Sequence, residues 1–278
     1  MPERIPGRGS IAFSGGGLAP DGQQGVAMKI QLLSDLHNEF YRGRAVPAIH
    51  PTAADVVVLA GDIDVGVAGV RWAAAEAGRL GKEVIYVVGN HEYYNHDIGL
   101  LDELRTVASD LHLVRLLEND EVVAGGVRFL GCTLWTDYRA AGGQPLAMLE
   151  ARQHLNDHWV VKKGVRRFLP DDALALHEQS RQWLAQKLAE PFPGKTVVIS
   201  HHGPHPLCQH PRFPLDLLAA AFWSDLSDLM EQVDVWCFGH THANLDVQVG
   251  RCRLVSNQRG YPHEDMQDYR PDFVIVLD

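Results

Sequence analysis

The sequence predicts an α/β layered domain built on mixed β-sheets, and three observations support this prediction. Short runs of β-branched and apolar residues recur along the chain, as expected for strands that are buried on both faces of a sheet. Segments with helical apolar spacing separate several of these runs. Two later stretches, 121–135 and 245–277, have the pattern of β-hairpins. This succession is typical of layered α/β domains.

Five of the apolar runs are predicted to be central strands, and each is followed by residues that can bind a metal ion. The runs cover 30–33, 56–60, 84–88, 197–200 and 235–238, and the polar residues after them are Asp35 and His37, Asp62, Asn90 and His91, His201, and His240 and His242. Ligands bind at the carboxyl ends of strands in open α/β sheets, so we expect these residues to converge at one edge of the fold.

Helices are predicted between and after these strands. The apolar spacing indicates a helix over 100–111, which Asp97 is placed to cap. Further helices are predicted at 71–79, 170–188 and 215–230. Residues 122–130 are predicted to form a hairpin that turns at the Gly-Gly pair in its middle.

The composition excludes several classes of protein. The chain has 278 residues, of which 46% are hydrophobic and 22% are charged, as in ordinary globular proteins. Its apolar runs are far shorter than the roughly 18 residues of a membrane span, so we expect no membrane insertion. The formal net charge of −10 opposes non-specific attraction to nucleic acid, and we expect none as a partner. No heptad or apolar stripe predicts an oligomeric state.

The domain organisation follows from local composition. Residues 1–27 are rich in glycine and proline and have no periodic apolar face, so we expect a flexible tail or an alternative start. We expect residues 28–278 to form one folded domain, with 136–170 as a candidate lid because it is the least regular internal segment. The four cysteines, Cys132, Cys208, Cys237 and Cys252, show no CxxC spacing. We interpret them as reduced thiols and predict a cytoplasmic protein.

The kinds of side chain at the strand ends indicate a metal site with two ions. In extended backbone, residues two apart face the same side, so Asp35 with His37 and His240 with His242 are predicted to form two converging pairs. Carboxylate, amide and imidazole donors without a thiolate suit Mn, Fe or Zn. Seven ligands are too many for one catalytic ion with an open position, but they fit two ions that share a carboxylate.

The ordered motifs Asp-x-His, Gly-Asp, Gly-Asn-His-Glu, His and Gly-His-x-His resemble those of the calcineurin-like metallophosphoesterase superfamily. The resemblance covers nearly all of residues 28–278, and the compact chain is similar to the bacterial-type phosphohydrolase and phosphodiesterase branch. It implies a four-layer α/β/β/α sandwich of two mixed β-sheets flanked by helices, with the metal site at the C-terminal ends of the strands.

The resemblance also implies a role for each motif residue. One ion would be held by Asp35, His37, Asp62 and His242, and the second by Asp62, Asn90, His201 and His240, with Asp62 bridging the two. A metal-bound hydroxide would attack phosphorus, and His91 would act as the general acid for the leaving group.

The substrate stays open at this stage. The motifs imply a small phosphorylated compound, either a phosphodiester of the cyclic-nucleotide kind or a phosphomonoester. The alternatives are a non-catalytic scaffold of the same fold and a two-metal hydrolase of another bond. His158, in the candidate lid, and Arg259, after a late strand, are the candidate substrate contacts. A turn with a surface arginine explains Arg259 equally well, and Glu92 either orients ligands or lies in a solvated loop.

Overall fold

A computed structural model describes residues 27–278, so the predicted tail at 1–27 lies almost wholly outside the described residues. In the described part, the strands are β1 (Met28–Leu33), β2 (Val56–Ala60), β3 (Glu83–Val87), β4 (Val114–Leu117), β5 (Asp120–Ala124), β6 (Val127–Cys132), β7 (Lys162–Lys163), β8 (Arg166–Arg167), β9 (Thr196–Ser200), β10 (Val235–Phe238), β11 (Asp246–Val249), β12 (Cys252–Ser256) and β13 (Val274–Leu277). The helices are α1 (Ala68–Leu80), α2 (Leu100–Ser109), α3 (Gln144–His154), α4 (Asp157–Val160), α5 (Pro170–Ala189) and α6 (Ser227–Met230).

The longer strands form two mixed sheets. The first has the order β13-β1-β2-β3-β4, in which β1 to β4 are parallel and β13 runs antiparallel to β1. The second has the order β11-β12-β10-β9-β6-β5, in which the four inner strands are parallel and the two edge strands are antiparallel to their neighbours. Strands β1, β2 and β3 therefore end at one edge of the first sheet, and β9 and β10 end together in the second.

The sheets pack face to face, and helices cover their outer faces, which confirms the predicted four-layer sandwich. Strand β2 shows how the sequence produces this arrangement. Val56 and Val58 lie in the apolar layer between the two sheets, whereas Val57 and Leu59 lie in the layer beneath α1 and α2. Alternate residues of a strand point to opposite faces, so a strand in an inner layer must be apolar throughout.

Most of the predicted elements are present. Helices α1, α2 and α5 occupy the predicted ranges, and strands β5 and β6 form the predicted hairpin. The residue that caps α2 is Gly99 and not the predicted Asp97, whose carboxylate accepts a hydrogen bond from the Gly99 amide at 2.8 Å.

The helix predicted over 215–230 is wrong. Only one turn of 3-10 helix at Ala219–Ala221 and the short α6 form there. The amide of Ser224 donates to the carbonyl of Gly203 at 2.9 Å, and the amide of Leu226 donates to the carbonyl of Pro204 at 2.9 Å. These long-range bonds take the donors that a continuous helix would use internally.

The hairpin predicted over 245–277 is correct only for its first part. Strands β11 and β12 pair, but β13 crosses to the first sheet and pairs with β1. Its apolar residues Ile275 and Leu277 are buried between the sheets, which accounts for the crossing.

Residues 136–170 are more regular than the sequence indicates. They contain α3, α4 and the small β7–β8 hairpin, and Ala147, Ala151 and Phe168 are fully buried in the core. Among the described residues, no helix is both long and apolar enough to cross a membrane.

Candidate metal centre

The polar residues that follow the central strands meet at one edge of the sandwich. In the described part of the chain, three groups of side chains bring possible ligand atoms within 4.8 Å of one another. They are Asp35 with His37 and His242, His37 with Asp62 and His91, and Asp62 with His201 and His240. The expected convergence of these loops is therefore present.

The backbone at these positions is not extended, and this part of the prediction is wrong. Five of the residues have left-handed backbone: Asp35 (φ 51°), His37 (φ 45°), Asp62 (φ 55°), His240 (φ 69°) and His242 (φ 50°). Such conformations are uncommon outside glycine and cluster at functional sites. Hydrogen bonds between the loops hold them, as where the His37 amide donates to the Asp62 carbonyl at 3.0 Å. The sharp turns aim successive side chains at one point.

One group of ligand atoms surrounds a point between the loops after β1 and β10. His242 Nε2 lies 3.4 Å from Asp35 Oδ1 and 3.1 Å from His37 Nε2. The other ring nitrogen of each histidine faces a carboxylate, with His242 Nδ1 2.6 Å from Glu264 and His37 Nδ1 3.2 Å from Glu39. If both rings donate from Nδ1, their Nε2 lone pairs face each other. A cation between them fits this arrangement.

The second group lies between the loops after β2, β9 and β10. His201 Nε2 lies 3.3 Å from Asp62 Oδ1 and 2.9 Å from Asn90 Oδ1. Its Nδ1 faces the Ala60 carbonyl at 2.9 Å, which directs the Nε2 lone pair into the group. His240 Nε2 is buried and has no hydrogen-bond partner among residues 27–278. A buried nitrogen of this kind, beside a carboxylate, is suited to bind a metal ion.

Asp62 belongs to both sides of the centre. Its Oδ1 faces His201, while its Oδ2 lies 3.9 Å from His37 Nε2. Burial would raise the pKa of Asp62, but the attraction of His201, His91 and His37 prevails, and the pKa is held well below its ordinary value. The carboxylate is therefore ionised and available to ions on both sides.

Glu92 supports the centre from behind. Its carboxylate accepts hydrogen bonds from the amides of Asp62 (3.1 Å), Ile63 (2.8 Å) and Gly89 (2.8 Å), and from the Tyr86 hydroxyl (2.7 Å). The side chain is fully buried, and burial is the largest cause that raises its pKa to about 7. Of the two interpretations of Glu92, the solvated loop is wrong. Glu92 ties the loop after β2 to the loop after β3.

His91 stands beside the centre and has its own fixed partners. Its Nδ1 lies 2.8 Å from Glu39 Oε1, and its Nε2 lies 3.0 Å from the Tyr261 hydroxyl. The ring stacks on Tyr94 with a centroid distance of 4.0 Å. Burial would lower the pKa of His91, but Asp62 and Glu39 outweigh it and raise the pKa. The ring is thus stabilised in its protonated form.

Comparison with known proteins identifies the family. The family model described as calcineurin-like phosphoesterase matches residues 28–244, well over half of the chain. The chain belongs to the calcineurin-like phosphoesterase family. It is a metal-dependent phosphoric ester hydrolase.

Two known proteins are similar to this phosphoesterase, one in sequence and one in structure. The uncharacterized protein L509 of Acanthamoeba polyphaga mimivirus is 23% identical over 214 residues, which are 70% of this chain and 74% of the relative. The crystal structure of the phosphopantetheinyl hydrolase PptH from Mycobacterium tuberculosis has a TM-score of 0.69 at 17% identity, covering 91% of this chain and 96% of that one. The second similarity shows a shared fold.

The two groups of possible ligand atoms, called the metal groups below, contribute Asp62, His240 and His242 to the lining of a cleft of about 260 Å³, called the metal cleft below. Asp62, Asn90 and His242 line it, together with His91 and Tyr261. Asp157, at the start of α4, also lines the cleft and accepts hydrogen bonds from the Asn90 amide at 2.9 Å and the Tyr94 hydroxyl at 2.8 Å. These bonds turn the Asn90 oxygen toward His201.

The two predicted substrate contacts do not line this cleft. His158 is buried in α4, where its Nδ1 lies 3.2 Å from the Phe168 carbonyl. Arg259 lies behind the loop after β1, with its guanidinium 3.0 Å from Asn38 Oδ1 and over the ring of Tyr41. We retain neither as a substrate contact.

Three further residues orient the site and were not predicted from the motifs, namely Glu39, Tyr94 and Glu264. Glu39 lies two positions after His37, and that spacing is a signal that could have been used. Glu264 lies in a loop without any periodic pattern, where only the fold brings it to His242.

Proposed function

We propose that this phosphoesterase binds two divalent ions and hydrolyses small phosphodiesters. One ion would be held by Asp35, His37, Asp62 and His242, and the other by Asp62, Asn90, His201 and His240. The observation that carries the proposal is the position of Asp62, whose two carboxylate oxygens face the histidines of different groups. A carboxylate placed in this way can bridge two ions.

The proposed roles divide the chemistry between the ions and the chain. Bound divalent ions would neutralise phosphoryl oxygens and activate water, so no side chain is required as a covalent nucleophile. His91 would donate a proton from Nε2 to the departing oxygen. Glu39 would accept a hydrogen bond from Nδ1 and hold the ring in place, as a positioning residue. The alcohol product then leaves with that proton.

The shape of the site favours a diester over a monoester. A second cavity of about 450 Å³ shares His91, Tyr94 and Tyr261 with the metal cleft, and it opens toward Phe40 and His263. An apolar cavity adjoins the cleft on the side of Phe222. A phosphate at the metal groups would thus have room for a substituent on each side.

The donor set supports Mn, Fe or Zn alike, because it contains carboxylates, an amide and imidazoles but no thiolate. We also propose a cytoplasmic location. All four cysteines are buried and unpaired, which is compatible with a reducing compartment.

The experiment that tests this function compares bis(4-nitrophenyl) phosphate with 4-nitrophenyl phosphate on the Mn-loaded protein. We expect faster turnover of the diester, and we expect a chelator and the Asn90→Ala variant each to abolish it. Preference for the monoester would overturn the diester assignment. Full turnover in the presence of the chelator, with no metal bound, would overturn the metal mechanism.

A further inference from the structure

An apolar cavity opens off the metal cleft beside residues 209–222. Its volume is about 200 Å³, and its lining is mostly apolar, with Phe213, Pro214, Leu218 and Phe222 as its larger members. Phe213 and Phe222 line both this cavity and the metal cleft. A group in the cavity can therefore be joined to a phosphate at the metal groups.

Most polar groups around this cavity are already engaged with the protein, and His210, which also lines it, accepts at Nδ1 from the Arg212 amide at 3.1 Å. The Gln209 amide nitrogen donates to the Phe213 carbonyl at 3.1 Å, and its oxygen accepts from the Trp223 indole at 2.9 Å. Asp216 Oδ1 accepts from the Ala219 amide at 2.9 Å, and the Thr241 hydroxyl accepts from Gln258 at 3.1 Å. A nucleobase or sugar placed here would leave most of its own polar groups without partners, which is unfavourable.

The rim of the cavity also favours an apolar ligand over a polar one. Phe213 is 66% exposed although it lies next to a strongly polar centre. An exposed aromatic ring at the mouth of an apolar pocket is typical of a surface that a ligand covers.

We propose that this cavity binds an alkyl or unsubstituted aryl substituent of the substrate, so that the phosphoesterase prefers diesters with one apolar arm. This inference rests on the proposed function, which places the phosphate at the metal groups. His91 lines the cleft and the second cavity but not the apolar one. The alcohol that receives the proton of His91 therefore leaves on the opposite side, and the apolar arm remains on the phosphate.

The reaction that follows is a simple hydrolysis. Water adds to phosphorus, and the bond from phosphorus to the leaving oxygen breaks. The leaving oxygen takes the proton of His91, and the proton that the attacking water loses balances it. The products are a free alcohol and a monoester that carries the apolar arm.

The test is a series of methyl, butyl and hexyl 4-nitrophenyl phosphates with the Mn-loaded full chain. Because each methylene transferred from water to an apolar site favours binding by about threefold to fourfold, we expect kcat/KM to rise at least tenfold from methyl to hexyl. Thymidine 5′-(4-nitrophenyl) phosphate should be a poorer substrate than the hexyl ester. A flat series, or preference for the thymidine ester, would overturn the inference.

Two variants locate the effect. In Phe213→Ala, kcat/KM should no longer rise from the methyl to the hexyl ester. The Phe213 side chain is exposed, so we expect this variant to fold. Leu207→Ala is the matched control, because Leu207 is 53% exposed on a neighbouring turn but does not line the cavity. Its series should equal that of the wild type, and an equal loss in both variants would contradict the assignment.

A binding measurement separates this inference from the proposed function. If no ester is hydrolysed, the proposed function fails. Calorimetry with methyl and hexyl phosphonate then decides the role of the cavity. Tighter binding of hexyl phosphonate that is lost in Phe213→Ala supports the inference, and equal binding of the two phosphonates overturns it.

Discussion

His91 Nδ1 lies 2.8 Å from Glu39 Oε1. The same carboxylate oxygen lies 3.2 Å from Nδ1 of His37. One acidic side chain, of which only 10% is exposed, therefore orients both a proposed metal ligand and the proposed general acid. This shared partner links the position of the proton donor to the position of the metal groups.

The first prediction concerns Glu39. In Glu39→Gln the amide oxygen can still accept one hydrogen bond, but the negative charge that stabilises protonated His91 is lost. We expect turnover of diesters with alkyl leaving groups to fall more than turnover of 4-nitrophenyl esters, which need little help from an acid. The ratio of the two rates is the measurement. An equal fall for both leaving groups would indicate a purely structural role.

The second prediction concerns His91 itself. His91→Asn should retain its metal content but lose on the order of 100-fold to 10,000-fold in turnover of poor leaving groups. Metal analysis and kinetics on the same sample check this division of roles. His112→Asn serves as the control, because His112 is an exposed histidine outside the cleft. Parallel loss of metal and rate in His91→Asn would make His91 a ligand instead.

The third prediction concerns Glu92. Its carboxylate accepts hydrogen bonds from three backbone amides and one hydroxyl. In a Gln at this position, the side-chain NH2 would face some of these hydrogen-bond donors. We expect Glu92→Gln to lower the free energy of unfolding by about 1–3 kcal/mol and to weaken metal binding. Urea denaturation and metal titration measure the two effects.

Glu118→Gln is the matched control for Glu92→Gln. Glu118 is also buried, has a pKa raised to about 7 by burial, and accepts from the amide and hydroxyl of Thr133. It does not line the cleft. We expect its substitution to reduce stability without changing metal affinity. Equal metal loss in both variants would show that the effect of Glu92→Gln is not local.

The fourth prediction concerns stability at low pH. Hydrogen bonds from Arg166 and Lys163 hold the pKa of Asp172, at the start of α5, well below its ordinary value of 3.8. This carboxylate therefore contributes stability that is fully present above about pH 4 and is lost as the pH falls through the lowered pKa.

The variant Asp172→Asn checks this dependence. It should be less stable than the wild type at pH 7, and the difference between them should shrink as the pH is lowered from about 4 toward 2. Thermal melts across that range measure it. A difference that does not depend on pH would show that the charge of Asp172 contributes nothing.

The apolar pattern was sufficient to predict an α/β layered domain with mixed sheets, because its central strands are buried on both faces, whereas the four-layer arrangement came from the family resemblance. Val57 and Val58 face different layers, and both layers are apolar. The ligand motifs were visible for a related reason, since each lies directly after such a strand.

The remaining features depend on tertiary structure. The segment 215–230 has helical spacing, yet bonds from Ser224 and Leu226 to another loop prevent a continuous helix. The left-handed backbone of His240 and His242 cannot be read from spacing, and it replaces the extended geometry that we expected. Glu264 reaches His242 only through a loop closure.

Native mass spectrometry of the Mn-loaded protein counts the metal ions bound per chain and therefore tests the proposed two-ion site. We expect two ions in the wild type, and fewer than two ions together with loss of diester turnover in Asp62→Ala. A single ion in a fully active wild type, or wild-type turnover in Asp62→Ala, would show that the site does not work with two ions bridged by Asp62.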